Sequence, residues 1–586
     1  MRVFATMLLS ISLAAVPVLA NDAKDAGKEE SPATASTEKA KEAAKPENAV
    51  IESELQDLRS LVQSQMQELE AQRAALKAQQ LKMEVLEEKL HTTSSEPVSA
   101  PVAEPAASSV ATPISVATPS TAIGAAPRTV SASVATPAQG AAEEKPSPLY
   151  FKIGAAEFYP LGFMDLTSIT RTTQLGGIGT NFGAIAFNNT IPGRLTEERL
   201  SAQNSRIGLR THAKFGEADV TGYLEADFLG FLPPNGHDTS NSDSLRLRLY
   251  WVDYKRGKFE VLGGQSWSFL TPNRNGLGAL PGDLFYSQDV DTNYQLGLTW
   301  TRQAGVRFIV HPNEHVALGV ALENPQQTLP SSVVVPGGPT AVAGYASQFD
   351  SNSGNTSSAT AVNNPNTPNL HPDVIPKIAF DFKPGGHQVH FDVAGLFRTF
   401  KAVNVIATPT PITAAGTLTT TIHGGGGAAT MNVELVKNFR LIATGFYSYG
   451  GGRYIASTAG PDVIVRPNGT LSGIHSGSGI GGFEWQANPK TVIYGYYSGA
   501  YFGKNFDQTG AAFTGYGFPG SGNSANRYIY EPTVGLHYMM WRNPNYGDIR
   551  IMTQFSYVSR TPWNIGTGPA TAHTGMAYID LRYDLP

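Results

Sequence analysis

The chain has 586 residues, 41% hydrophobic and 16% charged, with a net charge of −5 and no cysteine. That length exceeds one compact core of ordinary size, the acidic balance argues against a nucleic-acid partner, and the missing cysteine excludes disulfides, thiolate metal sites and lipoprotein acylation. Mean hydropathy is −0.17, and no run of about 20 apolar residues follows the first twenty positions, as a membrane helix would need.

Residues 1–20 read as a secretory signal peptide. Arg2 gives the positive start, Val3 to Val16 the apolar stretch, and Val18-Leu19-Ala20 the small residues before a cut at Asn21. Residues 21–50 are polar, rich in Ala, Lys and Glu, and are expected to be disordered. From residue 51 to 91 the pattern becomes heptads. One stripe holds Leu55, Val62, Leu69, Leu76, Met83 and Leu90; the other holds Ile51, Leu58, Gln65, Gln72, Gln79 and Leu86. The unbroken 4-3 spacing predicts an α-helical coiled coil about 60 Å long. Leu55, Leu58, Val62, Leu69 and Leu76 supply the seam, and Gln65, Gln72 and Gln79 fix its register. Residues 92–148 are rich in Pro, Ala, Ser and Thr and carry Ser-Val-Ala-Thr-Pro three times, which predicts an extended linker.

Residues 149–586 alternate apolar and polar positions between Gly-, Asn- and Pro-rich breaks. In the last segment Ala577, Ile579, Leu581, Tyr583 and Leu585 share one face, and Tyr578, Asp580, Arg582 and Asp584 the other. Successive strand side chains point to opposite faces, so each segment is a strand with one greasy and one charged side. The same reading places Leu245, Leu247, Leu249 and Trp251 opposite Arg246, Arg248 and Tyr250, and Ile549 and Ile551 opposite Arg550 and Arg560. A soluble sandwich would also alternate. The signal peptide and even spacing favour an all-β, antiparallel transmembrane barrel of sixteen strands, with eighteen as the alternative.

From residue 149 onward thirty Lys and Arg stand against twenty-nine Asp and Glu, and twenty of the thirty cations are Arg. Arg206 and Arg210 share a strand face, as do Arg246 and Arg248, with Glu225 and Asp227 on the strand between. These six are the candidate pore-lining residues. They either brace the wall through cross-strand pairs or brace it and also steer anions. Two carboxylates offset at most two of the four guanidinium charges. Gly477, Gly479 and Gly482 match a dinucleotide fingerprint, but the following Phe483-Glu484-Trp485 reads as strand, which makes them wall glycines. His387 and His390 would fall on opposite strand faces, so no metal site, cofactor or catalytic set is expected. The segment 326–369, rich in Asn, Ser, Thr and Gly, is expected as an extracellular loop that covers or narrows the bore.

At Asn204 to Arg210, Leu245 to Tyr254, Gly263-Gly264-Gln265-Ser266-Trp267, Gly451-Gly452-Arg453-Tyr454 and the C-terminal strands, the chain resembles the DcaP-like family of trimeric outer-membrane porins. The resemblance implies sixteen strands, three chains per assembly and passage of small, often anionic solutes. The trimer number for the coiled coil rests mainly on it. The expected function is therefore a homotrimeric outer-membrane porin without enzymatic chemistry. It would sit in outer-membrane lipid, pass small hydrophilic carboxylate-type anions, and hold its coiled coil in the periplasm. A tether whose stalk reaches the cell wall is the alternative. A trimeric autotransporter adhesin fits less well, because this barrel zone is long enough to close by itself.

Overall fold

The computed structural model describes residues 149–586, apart from 231–243, 326–328, 330–331, 335–369, 406–416, 459 and 566–567. The expected signal peptide, polar segment, coiled coil and linker lie outside the described residues, as does nearly all of the 326–369 loop. The strands are β1 (Phe151–Ile153), β2 (Ala156–Arg171), β3 (Glu197–Ser201), β4 (Arg206–Phe215), β5 (Ala218–Asp227), β6 (Arg246–Arg256), β7 (Phe259–Trp267) and β8 (Arg302–Asn313). They continue as β9 (Val316–Glu323), β10 (Asp373–Phe382), β11 (Val389–Val405), β12 (Thr417–Val436), β13 (Phe439–Tyr449), β14 (Val463–Val465) and β15 (Leu471–Gly473). The last are β16 (His475–Asn488), β17 (Thr491–Phe502), β18 (Asn505–Thr509), β19 (Ala512–Tyr516), β20 (Asn526–Asn543), β21 (Gly547–Pro562) and β22 (Ala572–Asp584).

The wall is antiparallel throughout, and each wall strand pairs with the next in sequence. The pairs β14–β15 and β18–β19 are separate small hairpins. β3 and β4 are two pieces of one stave, because β3 pairs with Thr167–Arg171 of β2 and β4 with Ala156–Phe163. The last strand returns to the first: β22 pairs with β2 from Phe163↔Asp584 to Arg171↔Met576, and Leu585 N–H donates to the Gly162 carbonyl at 3.1 Å. The barrel is closed at sixteen strands, so no unpaired edge faces outward.

Short turns such as Gly216–Glu217 and Gly257–Lys258 join strands at one end, and long loops join them at the other. In outer-membrane barrels the short turns face the periplasm and the long loops the exterior. The outward side chains Met164, Leu166, Val393, Ile579 and Leu581 are exposed, whereas the intervening Asp165, Thr167, Asp392, Asp580 and Arg582 are buried inside. Gly477, Gly479 and Gly482 lie within β16, as wall glycines should.

One stretch departs from strict alternation. Along β5 and β6 the register runs Glu225↔Leu249 and then Ala226↔Leu247, which leaves Arg248 as an extra residue on β6. A β-bulge of this kind inverts every facing beyond it. Leu249 and Trp251 therefore point inward and are buried, while Tyr250 and Val252 are exposed, the reverse of the expected facing for Leu249, Tyr250 and Trp251. Gly264 answers the bulge from β7. Its φ is +133°, and a β-carbon there would lie 2.4 Å from the Tyr250 carbonyl oxygen.

Candidate functional site

The segment between β7 and β8, Ser268–Thr301, turns into the barrel rather than over it. Near its tip Gly276 N–H donates to Asp381, which neighbours the β10–β11 turn, so the segment reaches down to the short-turn end. A chain running through a lumen carries backbone donors that need partners. Wall carboxylates supply them. Glu323 accepts from Ser268 Oγ and Phe269 N, Asp392 from Asn273 N at 3.1 Å, and Glu531 from Leu296 N at 2.7 Å. Part of the polar inner face thus holds protein where the sequence pattern alone implied water.

The segment is held differently on its two sides. Toward β5–β7 it is apolar: Phe285, Tyr286, Leu298 and Trp300 pack with Tyr223, Leu249, Trp251, Leu262 and Trp267. The Trp267 and Trp300 rings lie 4.1 Å apart, and Trp267 Nε1 donates to Tyr286 Oη at 2.8 Å. The bulge makes this seat by turning Leu249 and Trp251 inward. Toward β16–β22 the contacts are polar. Arg274 grips Glu484 through both Nη atoms at 2.9 and 2.6 Å, and Tyr496 Oη donates to the same carboxylate. Gln554 accepts from Val290 N, and Arg582 donates to Val290 O.

The structure brings together five of the six expected lumenal residues. Arg248 donates to Glu225 at 2.7 Å and to Asp227 at 2.5 Å; Arg246 reaches the same Asp227 at 2.9 and 2.7 Å. Arg206 lies 3.8 Å from Glu225 and pairs closely with Asp291 of the inward segment. The Arg206 and Arg248 side chains are almost wholly buried, but that of Arg246 is 34% exposed. Arg210 stands apart, its guanidinium 4.8 Å over the Tyr159 ring. Asp291, Arg274 and Glu484 were not anticipated. Asp291 alone carried a local signal, since Asp is a favoured cap: its side chain accepts from Asn293 N at the start of the short 3₁₀ turn Thr292–Tyr294.

Two carboxylates of the inward segment have opposed electrostatics. At Asp291 burial favours the protonated form, but Arg206 and Arg248 outweigh it and hold the carboxyl below its usual range. At Asp289 burial pushes the carboxyl up to about 8, with Asp291 and Glu484 adding to the rise.

Two cavities lie at opposite ends of this packed middle. The one at the short-turn end, about 270 Å³, lies between the segment's tip and wall residues Thr221, Trp251, Asp253, Lys255, Glu260 and His311. The one at the long-loop end, about 190 Å³, is lined by Asn181, Thr458, Phe502, Tyr516, Asn526 and Arg560, among others.

No protein-family profile matches the chain, and no curated protein does. Solved structures do. The outer membrane channel DcaP of Acinetobacter baumannii aligns over 74% of this chain and 99% of its own, with 15% identity and a TM-score of 0.53. An anion-selective porin from Comamonas acidovorans aligns over 73% of this chain and 100% of its own, with 10% identity and a TM-score of 0.40. OmpT of Vibrio cholerae covers 74% and 99%, with 10% identity and a TM-score of 0.37. The chain therefore has the fold of an outer-membrane channel, and the first of these superpositions carries that statement.

Proposed function

We propose that the protein is an outer-membrane channel for passive diffusion of small hydrophilic, preferentially anionic solutes, and that it performs no chemistry. The observation that carries this reading is a closed sixteen-stranded wall, apolar outside and charged inside, whose bore holds the inward segment Ser268–Thr301. A wall of this kind satisfies every backbone donor within hydrocarbon. Its inward segment sets the width of the path, and the groups beside it set charge preference. Steering falls to the half-exposed Arg246 and to Arg210, while Arg206 and Arg248 brace the wall and anchor the segment.

The assembly is a homotrimer in outer-membrane lipid, with the expected coiled coil in the periplasm. Support comes from the outer wall. Lipid-facing barrel walls carry aromatic girdles at both interfaces. At the long-loop end, outward Phe397, Tyr447, Tyr497, Tyr528 and Tyr530 form such a girdle on β11–β20. On β2, β3 and β6 the outward residues toward that end include Ser168, Thr170, Leu200 and Leu247, none of them aromatic. A face without a girdle suits another protein better than a headgroup layer.

The test is reconstitution of the full chain into planar bilayers. Discrete conductance steps with a reversal potential of anionic sign in a salt gradient are expected. A folded, heat-modifiable barrel that gives no steps at any voltage would overturn the channel reading. Native-state mass that fits one chain would overturn the trimer.

A further inference from the structure

Arg560, near the long-loop end of β21, is with Arg307 and Arg440 among the deeply buried arginines that have no ion pair among the described residues, and it lines a cavity. It is 5% exposed, yet no carboxylate lies within ion-pair distance among the described residues. Its Nε donates to the Ile185 carbonyl at 2.6 Å, and Nη1 to the Asn523 carbonyl and Asn526 Oδ1 at 2.7 and 3.0 Å. All three acceptors are neutral. Its guanidinium also lies 4.5 Å over the Phe187 ring. Nη2 makes no hydrogen bond among the described residues, and Arg560 lines the 190 Å³ cavity at this end.

The cavity is chemically matched to that charge. Asn181, Ser332, Thr458, Ser524 and Asn526 bring amide and hydroxyl groups, Phe502 and Pro461 bring apolar surface, and no acidic residue lines it among the described residues. Nearby, Arg527 and Lys504 lie over the Trp563 ring at 4.6 and 5.5 Å, also without a carboxylate partner among the described residues. Of the acids near this rim, Asp507 is already bound by Arg466 at 2.6 Å and Asp462 by Arg398 at 3.3 Å. A buried cation held only by neutral acceptors attracts an anion strongly, because water does not screen it. A planar guanidinium with an open edge suits a carboxylate. One such edge and a cavity of this size suit a small solute, not a polyanionic headgroup.

Resting on the channel reading above, we infer that this cavity is a capture site at the outer mouth for small carboxylates, with Arg560 as the residue that binds the carboxylate. Solutes would be concentrated there before they meet the inward segment, and the neutral acceptors would keep the guanidinium aimed at the cavity.

The experiment measures equilibrium binding of radiolabelled succinate to the full-length protein in detergent, and, in bilayers, the succinate concentration that half-saturates the current. Arg560→Gln should weaken binding and raise half-saturation by tenfold or more, with chloride conductance kept within about twofold. Should that variant fail to fold, Asn181→Asp tests the same idea from the loop. An aspartate still caps Gly183 N–H, but it brings a competing carboxylate to the cavity and should also weaken succinate binding. Equal binding by wild type and either folded variant overturns the site. Orthophosphate that outcompetes succinate overturns its carboxylate assignment. Binding in detergent without any bilayer conductance would sink the channel reading while leaving the site intact.

Discussion

Arg248 and Arg560 are both almost fully buried in one barrel, and they keep opposite company. Arg248 sits between Glu225 and Asp227, and its neighbour Arg206 adds Asp291 from the inward segment. Arg560 has three neutral acceptors and a cavity. The first region closes its own charge and holds the wall to the segment. The second leaves its charge for something that arrives from outside. A lumenal arginine becomes a candidate binding group only once its carboxylates are counted, and that count depends on chain segments far away in sequence.

The largest way to break the contrast is Arg248→Ala. It leaves buried Glu225 with only Arg206 at 3.8 Å and Asp227 with only Arg246, and removing one member of a buried pair costs about 3–5 kcal/mol. Heat-modifiability should appear at clearly lower temperature, or assembly should fail. Arg560→Ala removes no carboxylate's partner and should cost less. A larger loss at Arg560 would mean that its role is to clamp loops.

Arg206→Gln comes next, at about 2 kcal/mol, since a neutral amide still hydrogen-bonds to Asp291 but leaves its charge to the less direct influence of Arg248 and Arg582. Its effect should be read on the inward segment. Single-channel records should show larger conductance or frequent openings, because this tie joins β4 to the segment. Unchanged conductance would place the main hold in the Trp267–Trp300 seat or in the Arg274–Glu484 pair.

What was legible in the sequence follows from what is local. Period-two alternation marks the wall, because a barrel strand obeys the same rule at every step, and the even-strand rule rather than the pattern itself favours sixteen staves over eighteen. Arg206 and Arg246 each lie opposite Asp227 because neighbouring strands pair in register. Leu249, Tyr250 and Trp251 face opposite to their alternation because one extra residue, Arg248, shifts the period, and no residue type marks a bulge at that point. The inward turn of Ser268–Thr301 was not legible. Its partners Glu323, Asp392, Glu484 and Glu531 come from four strands, and their alternation looks the same whether they face water or a backbone N–H. Arg560 appeared only as one more polar-face residue, for the same reason.

The pH response of the inward segment should be of definite sign. Asp289 faces Asp291, Glu484, Glu531 and Tyr494, and its buried carboxyl titrates near 8 against an ordinary value near 4. The seated segment therefore holds this proton more tightly than a released one. Seating is strongest below about pH 4 and weakens by up to about 1.4 kcal/mol per pH unit until about pH 8. Open probability should rise from pH 5 to 8, and Asp289→Asn should flatten that rise. A rise of the same size in the variant would assign it to another group.

The smallest effect belongs to Arg246→Gln, and it separates steering from bracing within the paired region itself. Its side chain is 34% exposed, so its two bonds to Asp227 are partly screened, and their loss should cost well under about 1 kcal/mol. Arg248 still holds Asp227, so no buried carboxylate is abandoned. Stability should stay near wild type. The reversal potential should nonetheless move slightly toward cations, because the half-exposed Arg246 meets the aqueous path more directly than the buried Arg206 and Arg248. If Arg206→Gln shifted the reversal potential more than Arg246→Gln at equal conductance, buried charge would govern selectivity in this bore. The contrast between closed and open arginines would then describe stability alone.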